Sequence, residues 1–209
     1  MKKINIYALA AVSISAICLT AGCVNLSRDY PIRTFYVLEA KPEKANPPNP
    51  DGPVVQIQLF RASPGFSSSE FVYRTGELTY ESDPYNAFFT LPSDQIRAVT
   101  SQWLQDSGKA SALLDRSSRL RPTNIIEGNL IALYGDFADE ENPLAVMEVE
   151  FLLMDIRPLE PRIIFSKTYR EEIPITESTP QALVIGWDEA LKKILSSLTD
   201  DIPVKGEAE

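Results

Sequence analysis

Residues 144–156 read LAVMEVEFLLMDI, and their alternation decides the fold. Met147, Val149 and Phe151 fall on one side of an extended chain and Glu148 and Glu150 on the other, because successive strand side chains point to opposite faces. Such a strand buries one face and wets the other, the usual behaviour of an antiparallel sheet. The stretches on either side, 124–137 and 161–173, are again rich in Ile, Leu, Val and Phe. Asp139-Glu140-Glu141-Asn142-Pro143 and Arg157-Pro158-Leu159-Glu160 have the composition of hairpin connections, so the three segments predict a meander.

Working upstream, Arg33–Leu38 predicts a first strand from its aromatic and β-branched residues. Residues 41–53, KPEKANPPNPDGP, hold five prolines and predict an extended, poorly hydrogen-bonded loop within the domain. Val55, Ile57 and Leu59 alternate with Gln56 and Gln58, again a half-buried strand. Phe71 and Tyr73, then Leu78 and Tyr80, flank Arg74-Thr75-Gly76-Glu77, which predicts a hairpin with Gly76 at positive φ. The aromatic run Tyr85-Asn86-Ala87-Phe88-Phe89-Thr90-Leu91-Pro92 leads into a helix with Ser93 as N-cap and Asp94 in its first turn. Ile96, Val99, Trp103 and Leu104 share one face of that helix, and Gly108 stops it. A short strand over Ala110–Asp115 precedes the meander. Downstream, Ser178 and Gln181 stand at capping-box spacing with Pro180 between them. Leu183, Trp187, Ala190, Leu191, Ile194 and Leu198 then recur at helical spacing. The fold class is therefore α+β: a mainly antiparallel β-sheet with two amphipathic helices packed on one face, over residues 33–203, with a polar tail at 204–209.

Composition narrows the function. The 209 residues carry a formal net charge of −9 and no histidine. An acidic chain lacks the basic stripe of a nucleic-acid surface. The missing imidazole closes Ser-His-Asp and Cys-His catalysis and the His-containing zinc sites. The two cysteines are Cys18 and Cys23, so no disulfide braces the domain and its stability rests on its core.

Lys2 and Lys3, the apolar run Ile6–Leu19 and small residues before Cys23 fit a secretory signal peptide over 1–22, cut between Gly22 and Cys23. The alternative is an uncleaved anchor, for which the run is shorter than the roughly 20 residues a spanning helix needs. Ala21-Gly22-Cys23 resembles the lipobox of bacterial lipoproteins, which implies that Cys23 carries acyl chains, palmitate among them, and begins the mature protein. At about 0.8 kcal/mol per buried CH₂, two or three such chains hold a protein firmly at a membrane. Residues 23–32 then form a short tether. Val24, where an Asp would retain a lipoprotein at the inner membrane of enteric bacteria, resembles an outer-membrane address on the periplasmic face.

Four groups of residues invite sharper readings. Tyr85, Phe88 and Phe89 are either a partner-binding patch, since aromatics are enriched at interface cores, or a cap on the domain's own core. Asp136, Asp139, Glu140, Glu141 and Asn142 cluster oxygen ligands, but without EF-hand spacing they read as a solvated hairpin loop. Glu148 and Glu150 sit about 7 Å apart on one strand face, as a glycosidase pair could; cross-strand pairing with Lys167 or Arg170 is the simpler account. Trp103 and Trp187 lie on the apolar stripes of their helices and read as core anchors.

Taken in order, the lipobox, the strand Thr34-Phe35-Tyr36-Val37-Leu38, the Pro-rich gap, the Val55/Ile57/Leu59 strand, the Phe71-Val72-Tyr73-Arg74-Thr75-Gly76 hairpin, the Phe88-Phe89-Thr90-Leu91-Pro92 lead-in, the meander and the closing helix resemble the ABC-type transport auxiliary lipoproteins, the family of paraquat-inducible protein C and YmbA-like lipoproteins. The resemblance implies a non-enzymatic periplasmic lipoprotein, without a cofactor, that works beside an MCE-domain protein and an integral-membrane transporter component in moving lipids or hydrophobic solutes. It also implies docking at the outer-membrane end of a conduit, with ring-like homo-oligomers. Two alternatives stay open at this point: a structural or assembly lipoprotein that binds another envelope protein without transport, and a histidine-free periplasmic hydrolase.

Overall fold

The computed structural model describes residues 32–203. The signal peptide, Cys23, most of the tether and the 204–209 tail lie outside the described residues. The longest strands are the three of the predicted meander: β7 (Asn124–Asp136), β8 (Leu144–Asp155) and β9 (Arg162–Pro174). β7 pairs antiparallel with β8 and β8 with β9 along their full lengths. Met147, Val149 and Phe151 are buried, as the alternation requires.

The other edge of β7 is shared by three short strands that run parallel to it: β2 (Val54–Ile57) at its start, β3 (Arg61–Ala62) in its middle and β4 (Glu70–Arg74) at its end. β2 carries β6 (Ala112–Leu114) outside it, again parallel. β4 carries β5 (Tyr80–Phe88) antiparallel, and β5 carries β1 (Thr34–Tyr36) parallel. The nine-stranded sheet is therefore mixed, and antiparallel pairs dominate because β7, β8 and β9 are long. Parallel neighbours need crossovers rather than hairpins, and here the Pro-rich stretch and a helix supply them.

Two helices, α1 (Pro92–Ser107) and α2 (Pro180–Asp201), pack on the sheet. Every residue of the predicted α2 stripe is buried. Trp187 touches Phe71 and Phe88 at ring distances of 4.9 and 5.4 Å, and its indole N–H donates to the Tyr134 carbonyl at 3.3 Å. Burying a large apolar side chain contributes roughly 1.5–3 kcal/mol, so α2 is the main clamp on the meander. The Trp103 indole donates to Thr199 Oγ1 at 3.0 Å and joins the two helices.

Several local expectations need correction. The N-cap of α1 is Leu91, with Pro92 at the first helical position, and Ser93 is buried inside the first turn. The cap of α2 is Thr179 rather than Ser178; its hydroxyl accepts from the Ala182 N–H at 3.2 Å. Gly76 does not take positive φ: the loop is wider than a two-residue turn and is closed by the Thr75 N–H on the Thr79 carbonyl at 3.0 Å. Gly108 does, at φ 71°, where the Asn46 and Pro47 backbone approaches so closely that a Cβ would overlap it. The Pro-rich segment is in consequence better bonded than expected, with Asn46 N–H donating to the Asp106 carbonyl at 2.7 Å and Asn49 N–H to the Ala110 carbonyl at 3.2 Å. The Val55/Ile57/Leu59 alternation breaks after Ile57. Leu59 is exposed, and Phe60 takes the inward place over Gly128, against Phe151 at 5.8 Å.

Candidate partner-binding edge

A proline inside a strand marks an edge or a bulge, and Pro84 sits within β5. Phe71 of β4 pairs with Asp83, whereas the preceding Glu70 pairs with Ala87, so Pro84-Tyr85-Asn86 bulges out of the ladder. Asp83 holds that bulge. Its carboxylate accepts from the Tyr73 hydroxyl at 2.6 Å, Asn86 Nδ2 at 2.7 Å, the Tyr85 N–H at 2.8 Å and the Asn86 N–H at 3.1 Å. Burial pushes its pKa up, and these four donors outweigh burial and leave it below the ordinary carboxylate range. Burial, and then the bond to the Asp83 carboxylate, raise the Tyr73 hydroxyl well above the usual phenol value.

Past the bulge, the end of β5 turns to pair with β1, Asn86 with Thr34, Ala87 with Phe35 and Phe88 with Tyr36. The three residues singled out in the sequence consequently part company. Phe88 is 2% exposed, wedged against Phe71 at 4.7 Å and Trp187; it belongs to the core, which corrects its reading as an interface residue. Tyr85, on the bulge, is 50% exposed, and Phe89, one residue beyond the strand, is 70% exposed. Strand alternation explains the split, since Phe88 faces in and Phe89 out.

Sequence reasoning missed Phe35. Its ring stands edge-on to Phe89 at 6.3 Å and is half exposed, while its neighbour Tyr36 turns inward onto Phe71 at 5.2 Å. Val37, two residues after Phe35, and Leu91, two residues after Phe89, are also exposed. The Arg33 guanidinium lies 5.7 Å from the Phe35 ring and pairs with Glu70 at 3.3 Å. Among the described residues no strand pairs with the outer side of β1. An unpaired edge is a template for another chain, and this one has an apolar flank.

The edge is held from behind. Gln95 of α1 accepts from the Leu38 N–H at 2.8 Å, and Asp188 of α2 accepts from the Glu39 N–H at 2.8 Å. Burial raises the Asp188 carboxyl above its ordinary pKa even so. The chain just past β1 is therefore bonded to both helices.

The remaining candidates resolve as structural. Arg74 pairs with Asp136 at 3.3 Å, and Asp139 caps its own loop by accepting from the Glu141 N–H and from Asn142 Nδ2. Among the described residues no group of three or more acidic or cysteine side chains is placed to hold a metal ion. Glu148 pairs with Arg170 at 2.8 Å across the strands, as expected; Lys167 instead reaches Asp201 at 2.7 Å, and Glu150 faces Thr168. Trp103 and Trp187 are both buried.

No family model and no curated protein matches the chain. The fold does have solved counterparts. Protein XCC0632 from Xanthomonas campestris, assigned to the family-model DUF330, superposes with a TM-score of 0.66 at 18% identity, covering 79% of this chain and 92% of its own. A second structure, of an uncharacterized protein, superposes with a TM-score of 0.65 at 12% identity, covering 82% and 99%. The chain thus shares its fold with a DUF330 protein.

Proposed function

We propose that this chain is an envelope lipoprotein of the ABC-type transport auxiliary kind, anchored through Cys23 at the outer membrane on its periplasmic face. In this reading it is not an enzyme, and it docks onto an MCE-domain protein that works with an integral-membrane transporter component. The observation that carries the reading is the aromatic edge: β1 begins directly after the tether, is unpaired on its outer side among the described residues, and exposes Phe35, while the neighbouring β5 bulge and strand end expose Tyr85 and Phe89. A lipid-tethered chain gains little from exposed aromatics at its anchored end unless something covers them. The fold shared with a DUF330 protein supports the same reading.

The role of the domain would be mechanical. The tether fixes one end at the membrane, the bulge held by Asp83 sets the angle of the edge, and partner strands or loops add to β1 through backbone hydrogen bonds with the aromatic side chains giving specificity. The test is a pull-down of the full-length chain from its native envelope, with Cys23→Ser as control. Recovery of an MCE-domain protein that depends on the anchor is the expected result; a clean monomer with neither protein nor transporter subunit would reject it.

A further inference from the structure

A solvent-open cavity of about 380 Å³ lies at the far end of α1 from the aromatic edge. Along the helix the two are separated by about 24 Å. The cavity walls are Val55, Leu104, Leu113, Ile126, Leu153 and Ile164, contributed by five strands and α1. The volume falls in the range of small-molecule sites, about 300–1,000 Å³, and such sites combine a largely apolar lining with a few polar groups at one end, as here. Ile164 and Arg157 in its lining are partly exposed, so the mouth lies at the start of β9.

The lining itself carries two basic side chains against one acidic, and Asp201, one residue before the lining residue Ile202, is taken up by Lys167 at 2.7 Å. Although the protein is acidic overall, Lys109 and Arg157 line the cavity. Arg162 is the strand partner of Asp155, a further lining residue. Arg119 and Arg121, both exposed, precede the lining residue Thr123 by four and two residues, which puts their Cα atoms within about 14 and 7 Å of it. Among the described residues Arg119, Arg121 and Arg162 join no ion pair. Asp155 is the acidic lining residue, and two bonds to the Arg157 guanidinium satisfy it. Lys109 Nζ donates to the Thr199 carbonyl near the end of α2. Two leucines, Leu120 and Leu159, are exposed on the loops that carry these arginines.

We infer that this cavity is a binding site for an anionic amphiphile, its hydrocarbon chain in the apolar interior and its head on the arginines and Lys109 at the mouth. Such a ligand is either a free long-chain carboxylate or an anionic phospholipid inserting one chain. The site does not rest on the partner-docking reading, because it uses different residues.

The test places the full-length chain in phosphatidylcholine vesicles and adds a photoreactive sixteen-carbon carboxylate, the matching alcohol, or a phosphatidylglycerol carrying the same photoreactive chain. The carboxylate or the phosphatidylglycerol should label the cavity walls, and whichever labels them identifies the source. Leu113→Trp should reduce that label by about tenfold, equivalent to about 1.4 kcal/mol, and Ile164→Trp, at a partly exposed wall, serves if the first variant fails to fold. Arg119→Glu with Arg121→Glu should weaken labelling several-fold, and the alcohol should label poorly. Label spread over the surface or confined to Phe35 and Phe89, label indifferent to both tryptophan variants, or equal labelling by the alcohol would overturn the assignment. A chain that labels in the cavity but recovers no MCE-domain partner would leave this inference standing and sink the docking proposal; the reverse pattern does the opposite.

Discussion

Adjacent residues Phe88 and Phe89 carry opposite roles, and substitution should separate them. Phe88→Asp buries a charge among Phe71 and Trp187, which costs more than the about 3–5 kcal/mol of a core Phe→Ala change. The expected outcome is loss of the cooperative thermal transition by circular dichroism. Phe89→Ser leaves the core untouched, and its melting curve should overlay that of the wild type. Asp83 is a second residue-scale test. Because its folded pKa is depressed, its stabilising effect is complete above the unfolded value of about 3.9 and is lost as pH falls through the lower folded value. Asp155, held at about 2 by its bonds to Arg157, acts in the same direction. Acid titration should therefore loosen the bulge below about pH 4, visible as tyrosine fluorescence from Tyr85 and Tyr73. In Asp83→Asn that transition should disappear and the neutral-pH stability should fall by roughly 1 kcal/mol; an unchanged acid transition would refute the role given to Asp83.

Between elements, contact is set by small residues as much as by large ones. A Cβ on Gly186 would come within 2.6 Å of Ala145 Cβ, so α2 crosses β8 at the distance a hydrogen allows. Gly186→Leu should push the helix off the sheet and lower stability by about 1–3 kcal/mol or more in urea unfolding, despite leucine's better helix propensity. Thr179→Ala removes the α2 cap and should cost about 1 kcal/mol by the same measurement. This scale was well read from sequence where the periodicity was long. The α2 stripe and the Met147/Val149/Phe151 alternation are both matched because one buried face dictates each residue in turn. Short elements escaped. β2 ends at Ile57 because Phe60 finds its place over Gly128, a partner 68 positions away that no local pattern contains. Strand order was equally hidden: three parallel neighbours along β7 are set by long-range pairing, and hydrophobic period does not distinguish parallel from antiparallel.

For the whole molecule, the edge at one end of α1 and the cavity at the other are the two candidate sites. The aromatic edge was partly legible, since Tyr85 and Phe89 stand out in composition. Phe35 was not, because alternation alone lets either Phe35 or Tyr36 face the core, and the long-range pairing of β1 with β5 decides between them. The cavity had no sequence signal at all, being assembled from wall residues that look like ordinary core. The central claim is that the edge binds a partner, and one comparison tests it most directly. Full-length wild type and a Tyr85→Ser/Phe89→Ser variant with the same melting temperature are pulled down from equal amounts of native envelope, and the recovered MCE-domain protein is quantified. The account predicts recovery with wild type and a loss of about tenfold or more with the variant, the size expected when two aromatic anchors are removed from an interface. Equal recovery from both would contradict it.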